Sequence, residues 1–211
     1  MKFLLLIFLI APPLFASSLI DQKVPFVSQA PLSEWSDPRQ QDSCEEAVVL
    51  MSMAWAKDGI STSTDANLYN FKNLSLADWR DKLVALSDFQ QEKYGEYRDA
   101  SLEDIEIRLF RDYFSYEKTK IKDVLSPKDI ILELEKGNLV LIPANGQALK
   151  NPNFKAPGPE RHMVLIKGYD YEAKEFITND PGTRNGADYR YDEELLFKAI
   201  RPYKTGYHEP F

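Results

Sequence analysis

Cysteine and histidine are scarce in this 211-residue sequence, which contains one Cys and two His. A single cysteine excludes an internal disulfide. No His-x-x-x-His or Cys-x-x-Cys pair is present, so no zinc or iron site is recognisable and we expect no metal. The one glycine-containing run that could resemble a phosphate loop, residues 182–186, lacks the lysine and the strand-to-helix context that such a loop needs. We therefore expect no cofactor.

Basic clusters are also missing. The formal net charge is -7, and the lysines and arginines are dispersed among acidic residues. This pattern disfavours a nucleic-acid partner. With 44% hydrophobic and 28% charged residues and no internal repeat, the composition is that of an ordinary globular protein. The length favours one domain.

The N-terminal apolar run is too short to span a bilayer comfortably as a permanent helix. Residues 1–16 read MKFLLLIFLIAPPLFA, one lysine followed by an apolar run that two prolines interrupt. This layout predicts a secretory signal peptide, residues 1–18, cleaved after Ala16 or Ser18, and a mature domain of residues 19–211. The alternative is an uncleaved membrane anchor. We expect a secreted or periplasmic protein whose lone thiol meets an oxidising compartment.

The hydrophobic periodicity predicts an α+β fold, with helices first and an antiparallel sheet later. Strands are predicted at 24–29, 139–143, 162–169 and 176–179. Helices are predicted to begin at 44, 75, 101, 126 and 193. The stretches 30–42 and 144–161 are predicted to be loops, and a loop as long as the second is usually functional or mobile.

Cys44 lies at the predicted start of a helix. Ser43-Cys44-Glu45-Glu46 has the form of a capping box, with Ser43 as the N-cap and Glu46 reaching back to it. The helix dipole and unpaired amides at such a position favour a thiolate and can stabilise an oxyanion. The negative charge of Glu45 and Glu46 has the opposite effect on the thiol. Taken alone, the position fits either a nucleophile or a small buried side chain.

His162 is the better of two candidate bases, since His208 lies near the C-terminus beside a proline. The strand beginning at His162 and the strand ending at Asn179 are predicted to form a hairpin centred near Tyr171. The hairpin would bring His162 close to Asp180, which could orient the imidazole as in a nucleophilic triad. Each residue alone also fits an exposed histidine or a turn aspartate.

The order of these three residues resembles that of papain-like cysteine peptidases. The sequence is most similar to stand-alone secreted relatives of cysteine peptidase family 39, whose better-known bacterial members cleave bacteriocin leader peptides. Four stretches carry the resemblance: VPFVSQAP at 24–31, CEEA at 44–47, PANG with NPNF at 143–146 and 151–154, and HMV with NDPGT at 162–164 and 179–183.

The resemblance implies a papain-like fold and a catalytic triad of Cys44, His162 and Asp180 that acts on peptide or protein substrates. It also implies an oxyanion glutamine, for which Gln29 is the first candidate and Gln41, then Gln40, the next. Many relatives have Cys-Gly where this chain has Cys44-Glu45. Possible contacts in the substrate cleft are Trp35, Asn145, Phe154 and Asn179.

Two other functions remain open. The same thiol chemistry could serve another acyl transfer, as in an amidase, deamidase or transpeptidase. Alternatively, the chain could be an inactive peptide-binding module of the same fold. The oligomeric state is not predicted.

Overall fold

The computed structural model describes residues 2–7, 18–57 and 70–205. Its helices are α1 (Pro38–Gln41), α2 (Cys44–Lys57), α3 (Leu76–Tyr94), α4 (Leu102–Asp104), α5 (Pro127–Glu135), α6 (Gly146–Leu149) and α7 (Glu193–Ala199). A π-helical segment, Ile105–Tyr113, continues α4. Reciprocal capping boxes begin α3 and α5, with Ser75 and Ser126 as the caps. These bonds satisfy amides that have no partner within the helix.

The described strands form one antiparallel sheet. They are β1 (Lys2–Ile7), β2 (Leu19–Asp21), β3 (Thr119–Val124), β4 (Leu139–Ala144), β5 (His162–Asp170), β6 (Glu175–Asn179) and β7 (Tyr189–Asp192). The order is β3-β1-β4-β5-β6-β7, and β2 pairs with β5. All pairs are antiparallel. The described residues therefore confirm the α+β class.

Both faces of the central strands are buried, because alternate residues of β4 and β5 enter two different cores. Leu141 and Leu165 pack with α2 and α3 in one core, whereas Ile142 and Val164 pack with α5 and α7 in the other. Side chains alternate between the faces of a strand, so a strand that is covered on both sides reads as a continuous apolar run. This packing places the start of α2 against β5.

The predicted helix beginning at Cys44 and the hairpin β5–β6 are confirmed. The predicted strand at 24–29 is wrong, because the strand of this region lies earlier, at β2. Residues 22–28 have no regular secondary structure, and the side chain of Asn179 binds the carbonyls of Val24 and Pro25. The loops predicted at 30–42 and 144–161 contain the short helices α1 and α6.

The predicted signal peptide is described in part. Residues 2–7 form β1, between β3 and β4. Leu4 and Leu5 are fully buried, one in each core. Ala16 lies outside the described residues, as does His208. Among the helices that the structure describes, none is long and apolar enough to cross a membrane.

Candidate active site

A cleft of about 260 Å³ lies at the start of α2, where this helix meets β5. Cys44, the first residue of α2, lines it, and so does His162, the first residue of β5. The structure thus brings to one cavity two residues that lie 118 positions apart in the sequence. Gln29, Trp35, Gln41 and Phe154 line the same cleft.

The Cys44 thiol donates a hydrogen bond to the carboxyl of its neighbour Glu45, with 3.0 Å between Sγ and Oε2. Burial raises the pKa of the thiol well above its ordinary value, and the negative charge of Glu45 raises it further. The backbone amide of Met163 donates to the sulfur and acts in the opposite direction. Cys44 is therefore held as a thiol while Glu45 is ionised.

Burial raises the pKa of Glu45 to about 7, although the hydrogen bond from Cys44 lowers it. The side chain is only 2% exposed, yet it lines the cleft. Glu45 is thus a carboxyl group that changes its charge near neutral pH, in contact with the thiol.

Glu46 does not complete the predicted capping box at Ser43. Its carboxyl instead accepts a hydrogen bond of 2.7 Å from Gln90 of α3, and the Ser43 hydroxyl contacts that of Ser87. Burial raises the pKa of Glu46 well above its ordinary value, and Glu45 adds to the rise. Glu46 therefore connects α2 to α3, away from the cleft.

His162 is bonded to Asp180 as the hairpin predicts, with 2.7 Å between Nε2 and Oδ1. Both side chains are buried. Burial alone would raise the pKa of Asp180, but the positive charge and hydrogen bond of His162 hold it below its ordinary value. An ionised carboxylate accepts a hydrogen bond from Nε2–H, which leaves Nδ1 of the neutral imidazole as the acceptor.

Two neighbours fix the plane of the His162 ring. Phe154 makes an edge contact with it, at 5.2 Å between ring centroids and an interplanar angle of 82°. Gly182 lies close to it, and a Cβ atom added there would stand 2.8 Å from His162 Cε1 and 2.9 Å from Phe154 Cε1. Only a residue without a side chain fits at 182 while the imidazole keeps this position.

Asp180 has further donors that the sequence did not reveal. The Tyr191 hydroxyl donates to Oδ2 at 2.5 Å, and Asn151 Nδ2 donates to the same oxygen at 3.2 Å. The Gly182 amide donates to Oδ1 at 3.0 Å. With His162, the carboxylate has four donors, which compensate for its complete burial. Tyr191 belongs to β7, a strand of four residues whose Tyr-Arg-Tyr alternation is too short to reveal it from the sequence.

Two of the three glutamine candidates, Gln29 and Gln41, line the same cleft as Cys44. Gln29 lines the cleft, but its side-chain amide donates to the backbone carbonyls of Gln40 at 3.2 Å and Gln41 at 2.5 Å. Gln41 lines the cleft as well, whereas the Gln40 amide donates to Glu34. To serve an oxyanion, Gln29 would exchange one of these two bonds. The backbone amide of Cys44, at the start of α2, is a second donor of the kind that an oxyanion needs.

The other predicted cleft residues divide into two pairs. Trp35 and Phe154 line the cleft, and Trp35 is 39% exposed. Asn145 and Asn179 make structural bonds instead. Asn145 caps α6 by accepting from the Ala148 amide, and Asn179 binds the segment at Val24 and Pro25. A role for these two asparagines in substrate contact stays a prediction.

No group of three or more potential metal ligands occurs in the part of the chain that the structure describes.

The sequence model of the Peptidase_C39-like family matches residues 21–205, which is most of the chain and includes every residue of the cleft. The chain belongs to this family. No curated protein matches it significantly. Membership of the Peptidase_C39-like family supports cysteine peptidase activity and peptide substrates.

Proposed function

We propose that this Peptidase_C39-like protein hydrolyses peptides with a triad of Cys44, His162 and Asp180 on a papain-like fold. The observation that carries the proposal is the shared cleft, where the single thiol of this chain and a histidine bonded to a buried carboxylate lie together. A nucleophile, a base and a group that orients the base are the three components of such a site.

The first half of the reaction would form an acyl-enzyme. Cys44 loses its proton to His162, and the sulfur attacks the peptide carbonyl carbon. The carbonyl oxygen becomes an oxyanion, for which the Cys44 amide and the Gln29 side chain are the nearby donors. When the carbon–nitrogen bond breaks, the amine leaves with the proton from His162 and a thioester remains on Cys44.

Water would complete the reaction. His162 takes a proton from water, the hydroxide attacks the thioester, and the acid product leaves as the proton returns to the Cys44 sulfur. Asp180 does not react. It keeps Nε2 protonated and stabilises the imidazolium that forms in each half of the reaction.

Hydrolysis and acyl transfer differ in the group that resolves the thioester. We expect one oxygen atom from the solvent to enter the new carboxyl group when the protein cleaves a mixture of peptides in ¹⁸O-labelled water. The measurement is the mass of the products, made between pH 5 and 8 with and without an added primary amine. Products that carry the amine and no label would show a transpeptidase instead, whereas an amidase or deamidase would incorporate the label and differ from a peptidase in releasing ammonia or a side-chain amine rather than a shorter peptide.

A binding module without turnover is the second candidate, because Glu45 holds the thiol and the Gln29 amide is already bonded. In the same experiment, a protein that retains peptides and releases no cleaved product would favour this candidate. A cleaved product with the solvent label would exclude it.

We also propose that the chain is exported and that its signal peptide is cleaved after Ala16. The Ser18 carbonyl accepts a hydrogen bond from the Tyr171 amide at 3.0 Å, and cleavage after Ser18 would remove this carbonyl from the mature chain. Removal of residues 1–16 would also remove β1 from between β3 and β4.

We expect the protein recovered from outside the cytoplasm to have the mass of a chain that begins at Ser17. Intact-mass spectrometry of that protein measures its N-terminus directly. Recovery of the full 211-residue chain from that compartment would show that the leader is retained, and with it the buried Leu4 and Leu5 of β1.

A further inference from the structure

Glu45 occupies a position that the proposed triad does not use. Its carboxyl accepts the hydrogen of the Cys44 thiol at 3.0 Å, and it lines the cleft although it is almost fully buried. It is therefore placed to affect the nucleophile rather than to stabilise the helix surface.

The geometry creates a competition for one proton. A thiol has a single hydrogen to donate. While Cys44 donates it to the Glu45 carboxylate, the thiol cannot donate it to His162, which lines the same cleft. A negative charge beside the sulfur also disfavours the thiolate. A neutral Glu45 would remove both effects, because a carboxylic acid is a weaker acceptor and has no charge.

We propose that Glu45 controls the nucleophile: its carboxylate holds Cys44 as an unreactive thiol, and its carboxylic acid releases Cys44 to His162. This inference rests on the proposed function, since it presupposes that Cys44 and His162 form the reactive pair. Glu45 acts through Cys44 and is a positioning residue.

The pH direction follows from the burial of Glu45, which raises the pKa of its carboxyl to about 7. Below that pH the group is neutral and the thiol is released. Above it the group is ionised and the thiol is held. The peptidase should therefore be more active on the acid side of neutrality and should lose activity as the pH rises through 7.

Other charged groups surround this pair. On α2 itself, Glu46 is buried and bonded to Gln90. Five titratable or charged residues from other parts of the chain line the cleft: Asp42, Asp99, Lys155, Arg161 and His162. Tyr203 also interacts electrostatically with Cys44 and Glu45. Asp99 raises the pKa of Glu45, and His162 lowers it. Arg161 lies 4.0 Å from Asp99 and 5.1 Å from the ring of Tyr203. Of the acidic groups, Glu45 is the one bonded to the thiol.

The test is the rate of Cys44 alkylation by iodoacetamide in the full chain between pH 5 and 9, in native protein and in Glu45→Gln. Glutamine has the shape of the neutral carboxyl and cannot ionise. Cys44 is the only cysteine, so the mass gain reports this thiol alone. At pH 8 we expect Glu45→Gln to react at least about tenfold faster than native protein, a change of one unit in the thiol pKa. Below pH 6 the two rates should converge.

Glu46→Gln is the matched control, because it changes the adjacent buried carboxyl that is bonded to Gln90 rather than to the thiol. Its alkylation profile should change much less than that of Glu45→Gln, because the charge of Glu46 raises the pKa of the Cys44 thiol less than the charge of Glu45 does. Glu45→Ala serves as a second variant, and thermal unfolding of each variant confirms that it folds. Equal rates at pH 8 for native protein and the folded Glu45 variants would overturn the inference.

Two outcomes distinguish a failure of the proposed Cys44–His162 pair from a failure of the inference about Glu45. If Glu45→Gln accelerates alkylation at pH 8 while His162→Ala has no effect at pH 5.5, Glu45 controls the thiol but His162 is not its base. If His162→Ala slows alkylation and Glu45→Gln changes nothing, the triad stands and Glu45 has no control over it.

Discussion

Replacement of Cys44 by alanine should lower peptide hydrolysis by more than about 10³-fold. Loss of the nucleophile in a catalytic triad removes covalent catalysis altogether, and what is left comes from substrate binding and oxyanion stabilisation. Cys44→Ser should be almost as inactive, since a hydroxyl is a much weaker acid than a thiol. The measurement is kcat/KM with a peptide substrate that native protein cleaves.

Ser52→Ala provides the control on the same helix. Ser52 is buried, its hydroxyl bonds to the Val48 carbonyl, and it lies eight positions from Cys44. This substitution also removes one heavy atom from the buried side of α2, so it tests whether any small change there abolishes activity. Activity in folded Cys44→Ala within tenfold of native would refute the assignment of the nucleophile.

Replacement of His162 by alanine should lower hydrolysis by a comparable factor. Nucleophile and base act as a unit, so the loss of either costs nearly as much as the loss of both. The double variant with Cys44→Ala should accordingly be no less active than either single variant. Additive losses in kcat/KM would show that the two residues do not act together.

Gly182→Ala tests the position of the same imidazole without removing it. The added Cβ would approach His162 Cε1 to 2.8 Å, so the ring must move. A displacement of about 1 Å at a reacting group can cost about 10²-fold. Gly95→Asn is the control, because a Cβ atom added at 95 meets no atom within 4 Å and asparagine tolerates the positive φ of +79°. It should leave kcat/KM unchanged.

The sequence predicted the parts of the site that depend on local pattern. Cys44 begins α2 because an apolar helical periodicity follows it, and His162 meets Asp180 because two adjacent strands form a hairpin with a short turn. Both are features of neighbouring residues, which periodicity and turn residues encode directly.

The parts that the sequence did not predict depend on contacts between distant segments. Asn151 lies in a long loop, and Tyr191 lies on a strand of four residues, too short to give a clear alternating pattern. Each reaches Asp180 only after the sheet and loop are folded.

The bond between Cys44 and Glu45 depends on a side-chain rotation at the buried end of α2, which residue type alone does not determine.

The reactivity of Cys44 at pH 5.5, in native protein and in His162→Ala, tests the nucleophile–base pair most directly. Free cysteine is almost entirely protonated at this pH, so rapid alkylation requires a thiolate that a neighbouring imidazolium stabilises. We predict that native Cys44 reacts with iodoacetamide at least about tenfold faster than Cys44 in His162→Ala, because burial raises the pKa of the thiol in both proteins and only the native protein has the imidazolium that opposes it. Equal rates in the native protein and the folded variant would contradict the account.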